Sequence, residues 1–486
     1  MKKIIYILLC LSAISFLTGS CTPFSEMNND PTRMSKVNPG TLLNPILYEM
    51  SIYNWKRYND YTFALMQSKV STSSTNGVGW LYVNDGAGDG TWSTYYKWLN
   101  NIKEMEKEAQ LLNEDNYLAV GITLRSWIYQ MLTDAFGDVP MSEACRGNEQ
   151  LFTPKFDSQK DIYRTLIDDL ERANGLFIET AGLKYNTDGE LLYLTNAALT
   201  GGKSEGILKW KKFCNSLRLR LLLRVVDVPE FNAKAELSKM LGNPTTYPVF
   251  TSNEEAAQLS LSGIFPQEPP MNRPQDFTSY VSVSAFFIDN LLAWNDPRLP
   301  IFATKATNDG VKSYIGLPSG YAVAPSFNGS QPNQNLAKAP MKLVLMNYAE
   351  VEFIKAELSQ RGIVSLNAQQ AYEKGVVAAI EQWGGVMTGD YFNNAKTAYD
   401  NTLERIMLQK YFALFFCDYQ QWFEYNRTGL PQLPRGEGVP NGNVIPSRFK
   451  YPATVQRTNL KNYQIAKQNM GGDELTTKLF WQKNSN

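Results

Sequence analysis

Residues 98–136 read WLNNIKEMEKEAQLLNEDNYLAVGITLRSWIYQMLTDAF. Trp98, Ile102, Met105, Ala109 and Leu112 follow one another at steps of 4, 3, 4 and 3, which places them on one face of a helix. NEDN at 113–116 breaks the pattern, and Leu118, Ile122, Tyr129, Leu132 and Phe136 take it up again. Two apolar stripes separated by a short polar turn predict an αα-hairpin.

The unit recurs along the chain. Ser158 with Asp161 predicts the start of a helix carrying Ile162, Leu166, Ala173 and Leu176. ILKWKKFCNSLRLRLLLRVVD, 207–227, predicts another, and MKLVLMNYAEVEFIKAELSQRG, 341–362, one that ends at a glycine suited to a left-handed cap. Asn367 and Gln370 resemble a capping box for AQQAYEKGVVAAIEQWG. NTLERIMLQKYFALFFCDYQQWFEYNR, 401–427, reads as a single long, largely buried helix. No exact 34-residue period is present, so the expected fold is mostly α, with degenerate tetratricopeptide-like hairpins. From about 228 to 340 the chain is instead rich in Pro, Gly and Asn, as in FPQEPPMNRPQDF and YIGLPSGYAVAPSFNGSQPNQN. Irregular stretches this long commonly carry function, so the helices read as scaffold and the loops as a ligand face.

Composition narrows the function. Among 486 residues, Lys plus Arg and Asp plus Glu each number 47, so no net field favours nucleic acid. There is no histidine, which excludes Ser-His-Asp or Cys-His catalysis and imidazole metal ligation. A hydrolase using paired carboxylates survives that test. Aromatic residues make up 12% of the chain, a supply of planar apolar faces that leans toward binding, and neither a metal nor a cofactor is expected.

The first residues, MKKIIYILLCLSAISFLTGSC, combine Lys2 and Lys3, an apolar run from Ile4 to Leu17, and small residues before Cys21. This pattern predicts a signal peptide over 1–20 with a lipobox, in which the Cys21 thiol receives a diacylglycerol. Residues 21–40 then form a polar tether. The alternative is an ordinary secretory signal. Cys145, Cys214 and Cys417 are too scattered for a disulfide framework, and Cys214 and Cys417 fall in apolar helical patterns that suggest buried thiols.

Seven segments in order resemble the SusD/RagB family of outer-membrane nutrient-binding lipoproteins, in its SusD-like branch. They are TDAFGDVPMSEA (133–144), KWKKFCNSLRLRLLLRV (209–225), NDPRLP (295–300), APMKLVLMNYAEVEFIKAEL, QQWFEYNRTGLPQL, IPSRFKYPATVQRTNLKNYQIA and GGDELTTKLFWQ. Three positions depart from the family pattern: Gln420 and Val455 replace glutamates, and Asn426 replaces an arginine. The resemblance implies one SusD-like domain over 41–486. It also implies a lipid anchor on the outer membrane facing the exterior, and a partner SusC-like TonB-dependent transporter. The ligand would be an oligosaccharide or a peptide, and the protein would have no catalytic activity of its own.

Sugars present C–H patches on which aromatic rings stack, and hydroxyls that need forked donors and acceptors. Trp80, Tyr82, Asn84 and Asp85 supply both within six residues of a glycine-rich loop. Asn272 and Arg273, in NRPQDF, form a second candidate patch, with Tyr314, Tyr321 and Phe327 weaker candidates. Trp92, Trp98, Trp210, Trp422 and Trp481 are expected in the framework. NDGAGDG lacks the alternating acids and terminal glutamate of a calcium loop. The leading reading is uptake of glycans. The alternatives are a peptide-binding member of the same family and, less favoured, a carboxylate-pair glycoside hydrolase.

Overall fold

The computed structural model describes residues 37–72, 83–439 and 444–482. Cys21, Trp80 and Tyr82 lie outside these residues. From Pro39 onward the chain forms one compact unit.

The hairpin read from residues 98–136 is present as α2 (Asp89–Leu111) and α3 (Asp115–Phe136), preceded by α1 (Pro39–Arg57). Ile102, Met105 and Ala109 of the first stripe are fully buried, as are Ile122, Leu132 and Phe136 of the second. α3 then packs on α4 (Gln159–Leu176), and α4 on α5 (Glu205–Arg224), which is followed by α6 (Ala233–Gly242). The Ser158 hydroxyl caps α4 by accepting from the Asp161 amide at 3.1 Å. A later set comprises α8 (Tyr348–Gln360), α9 (Ala368–Glu381), α10 (Leu403–Ala413) and α11 (Gln420–Thr428), with α8 and α9 packed as a pair. Asn367 caps α9 through a 2.9 Å bond from the Gln370 amide, and Gly362 takes φ +67° just past α8. Helix hairpins on a buried core thus bear out the mostly α expectation.

The one long helix expected over 401–427 is two. Between α10 and α11, Phe416 and Asp418 adopt φ of +58° and +39°, which no continuing helix allows. Packing overrides propensity here. The turn swings Phe416 onto Tyr58 (centroids 4.4 Å) and Trp55 (5.3 Å), and Phe415 onto Phe302 (4.4 Å). Aromatic pairs of this kind offset the cost of leaving the helical region.

The residues between 228 and 340 are not wholly irregular. They carry β2 (Ala257–Leu261), β3 (Val281–Val283), α7 (Ala285–Ala293) and the hairpin of β4 (Ala306–Asn308) with β5 (Val311–Ser313). β3 pairs antiparallel with β1 (Lys69–Ser71), and β2 with β6 (Met341–Met346). Each ribbon has only two strands. They are local fasteners that pin loops to the helical body.

Buried ion pairs brace the helical body, and some of them connect segments far apart in sequence. Arg220 holds Glu350 through two bonds of 2.7 and 2.6 Å, and Arg427 holds Glu357 through bonds of 2.7 and 2.6 Å. Glu424 receives Arg427 and Lys410, each at 2.7 Å. Arg298 clasps Asp296 at 2.8 and 2.7 Å, and Arg448 stands 3.0 Å from Asp473. Two departures from the family pattern are accommodated nearby. Gln420 accepts from Arg224 at 3.0 Å, and Asn426 donates to the Ser447 carbonyl at 2.9 Å. Cys214 and Cys417 are fully buried free thiols, as expected, and burial pushes the Cys214 thiol up to about 12.

Candidate ligand-binding site

The loop-rich face is organised around the β1–β3 ribbon. Just beyond it, the Thr72 amide donates to the Tyr280 carbonyl at 2.8 Å. Tyr280 takes φ +55°, a conformation that costs a bulky residue about 1–2 kcal/mol, and its ring is 75% exposed. A strained backbone that holds an aromatic ring in water makes Tyr280 a candidate for ligand contact. On the neighbouring strand, the Tyr321 hydroxyl donates to the Ser71 carbonyl at 3.0 Å.

Tyr321 lines a pocket of about 530 Å³ with Phe327, Asn328, Thr304, Lys305 and Gln331 among others, while Tyr280 is not a lining residue and adjoins it through its chain neighbour Val281. Thr72, Val281 and Ser282 contribute its ribbon side. Phe327 is 41% exposed. The wall over 324–331 is tied down by reciprocal amides: Asn308 accepts from the Asn328 amide at 2.8 Å and donates to the Asn328 carbonyl at 2.9 Å. Gly329 allows close approach, because a Cβ there would stand 2.3 Å from the Ser282 hydroxyl and 2.5 Å from Leu317. Rings beside amide and hydroxyl groups in a shaped concavity match the chemistry of a sugar.

The sequence candidates distribute unevenly. Asn84 folds its side chain back to accept from the Gly86 amide at 3.0 Å, and Asp85 pairs with Lys450 at 3.2 Å in the turn that enters α2. Neither lines the pocket. Arg273 forms a fork with Asp276 at 3.1 and 2.8 Å and, with Asn272, is exposed. Their segment is fastened to the pocket wall, since Gln331 donates to the Thr278 carbonyl at 3.3 Å and Gln334 to the Thr278 hydroxyl at 3.3 Å. Tyr321 and Phe327, the weaker candidates, line the pocket itself, while Tyr314 stacks under Lys305. Sequence reading missed Tyr280. Its signal is the φ, which depends on pairing with a strand near residue 70.

The remaining tryptophans are framework. Trp92 makes edge contacts with Phe136 (5.2 Å) and Tyr451 (5.9 Å), and Trp98, Trp210, Trp422 and Trp481 are buried. The acids of TDAFGDVP are also structural. Asp134 accepts from Tyr163 at 2.5 Å, Gln130 at 2.6 Å and Trp481 at 3.0 Å, and Asp138 accepts from the Gln159 amide at 2.8 Å. Burial pushes Asp138 up to about 6. No described helix is long and apolar enough to cross a membrane, and no cluster of described acids or cysteines could hold a metal.

A family model described as starch-binding and associating with the outer membrane, SusD-like, matches residues 31–452. The chain belongs to the SusD-like family. A solved chitin-binding protein superposes with TM-score 0.76 at 26% identity, covering 92% of this chain and 100% of the other. A SusD homologue from Bacteroides fragilis gives TM-score 0.75 at 26% identity, over 93% and 100%. A SusD-like protein from Bacteroides thetaiotaomicron shares the fold at 20% identity, with TM-score 0.75 over 92% and 99%. No curated protein sequence matches the chain. Membership in this SusD-like family associates the chain with the outer membrane and with nutrient binding.

Proposed function

We propose that this SusD-like protein binds oligosaccharides at the pocket beside Tyr280, Tyr321 and Phe327 and passes them to a SusC-like TonB-dependent transporter, without cleaving them. The observation that carries this reading is the pocket itself: the half-buried Tyr321 and exposed Phe327 rings share its wall with amides and hydroxyls, and the exposed Tyr280, on strained backbone, stands one residue before its Val281 wall. The rings stack on the apolar faces of sugars, and Asn328, Gln331 and Thr304 exchange hydrogen bonds with hydroxyls. Trp80, Tyr82, Asn84, Asp85, Asn272 and Arg273 are kept as further proposed ligand contacts on the strength of their residue types. The anchor is a lipid on Cys21, on the cell exterior.

The test is calorimetry with a panel of oligosaccharides and peptides, combined with an assay for reducing ends. Saccharide binding that drops about tenfold in Tyr321→Ala and in Trp80→Ala, with melting temperature unchanged and no new reducing ends, is the expected result. Binding confined to peptides would move the assignment to a peptide carrier. Release of reducing sugar would make the protein a hydrolase. Transporter partnership is read by co-purification with a SusC-like barrel from the source membrane.

A further inference from the structure

We propose that this pocket selects glycans carrying an acidic group, a uronate carboxylate or a sulfate ester, through Lys305 and Lys312. The inference rests on the pocket being the glycan site. Among the described residues that line it, Lys305 is the one charged side chain. Its ammonium stands 5.6 Å from the centroid of the Tyr314 ring, a cation–π contact that steadies the charge at the pocket edge without neutralising it.

Lys312 adds a second charge on the same side. In the β4–β5 hairpin it lies directly across from Thr307. Residues opposite one another in an antiparallel pair project from the same face, and Thr307 lines the pocket. Both lysines are exposed, and neither forms an ion pair with a described residue. Asp309, the acid closest in sequence, sits at the hairpin tip with φ +50° and pairs with neither. A neutral sugar would leave both ammonium groups with water alone. An acidic one would meet two cations at the rim, where stacking already orients the ring.

The test measures affinity for chondroitin sulfate, alginate and oligogalacturonide fragments, each beside its desulfated or carboxyl-reduced counterpart. Neutral starch, chitin and xylan oligosaccharides complete the set. The expected result is an acidic fragment bound about tenfold tighter than its neutralised counterpart, as two partly exposed ion pairs allow. That preference should shrink at high salt and collapse in the double variant Lys305→Gln, Lys312→Gln. The desulfated and carboxyl-reduced arms tell sulfate from uronate. Equal affinity for acidic and neutral forms, binding of neutral glycans alone, or a preference kept by the double variant would overturn the proposal and leave the glycan site standing. Failure of every saccharide to bind would remove the site as well.

Discussion

Tyr280 carries its conformational cost in exchange for an exposed ring, and the cost can be measured separately from the benefit. Glycine accepts φ +55° without strain, so Tyr280→Gly should leave the melting temperature unchanged or slightly raised while oligosaccharide affinity falls about tenfold. Thermal melts beside calorimetry check both signs, and a lowered melting temperature with intact binding would return the ring to the framework. Asp418 is a different kind of strained residue. Its carboxylate is buried, one oxygen has no partner, and burial, opposed by Arg220, pushes its pKa up to about 7. The folded protein therefore keeps the proton to about pH 7, whereas the unfolded chain releases it near pH 4. Stability contributed by the protonated form is present below about pH 4 and is lost as pH rises toward 7. Asp418→Asn keeps an acceptor for the Gln420 amide and suits φ +39°. It should raise the melting temperature by about 2 °C at pH 8 and change it little at pH 4.

At the level of elements, local signals were legible where local chemistry decides the outcome. Ser158, Asn367 and Gly362 terminate their helices as their residue types dictate. The break between α10 and α11 was not legible. Its cause is the fit of Phe415 and Phe416 among rings from α1 and from Phe302, and no periodicity within 401–427 reports on those partners. The site divides in the same way. Aromatic and amide content marked Tyr321 and Phe327 as candidates, but which rings share a wall depends on ribbons joining residues near 70 to residues near 280. The motifs that identify the family also gain a physical meaning, because Arg220, Asp296, Arg298, Glu350, Glu357, Arg427, Arg448 and Asp473 are the buried ion pairs themselves. Arg427→Met would leave Glu357 and Glu424 short of a bidentate partner in the core. A loss of about 3–5 kcal/mol in urea unfolding is expected, and adding Glu357→Leu should recover part of it.

For the whole molecule, the amino-terminal pattern makes a prediction independent of the fold. Cys21→Ser should shift the protein from the membrane fraction to the soluble one, and fractionation followed by mass analysis of the amino terminus reads this directly. Wild-type protein found in the soluble fraction with an unmodified terminus would leave the ordinary secretory signal as the better account of residues 1–20. The absence of histidine also bears on the whole chain, since it leaves buried carboxyls such as Asp138 and Asp418 as groups that titrate near neutral pH.

The ion pairs and ribbons have a consequence for chain integrity. Ile264 and Phe265 are 75% and 81% exposed on the turn after β2, where a protease has ready access. Several fastenings span that point: Arg220 to Glu350, Arg224 to Gln420, β2 to β6, and a buried hydrogen bond from the Tyr58 hydroxyl to Gln421. A chain cut there should elute from a sizing column as one particle and come apart into two fragments only in denaturant. The two pieces, expressed separately, are then natural candidates for reassembly into a working binder.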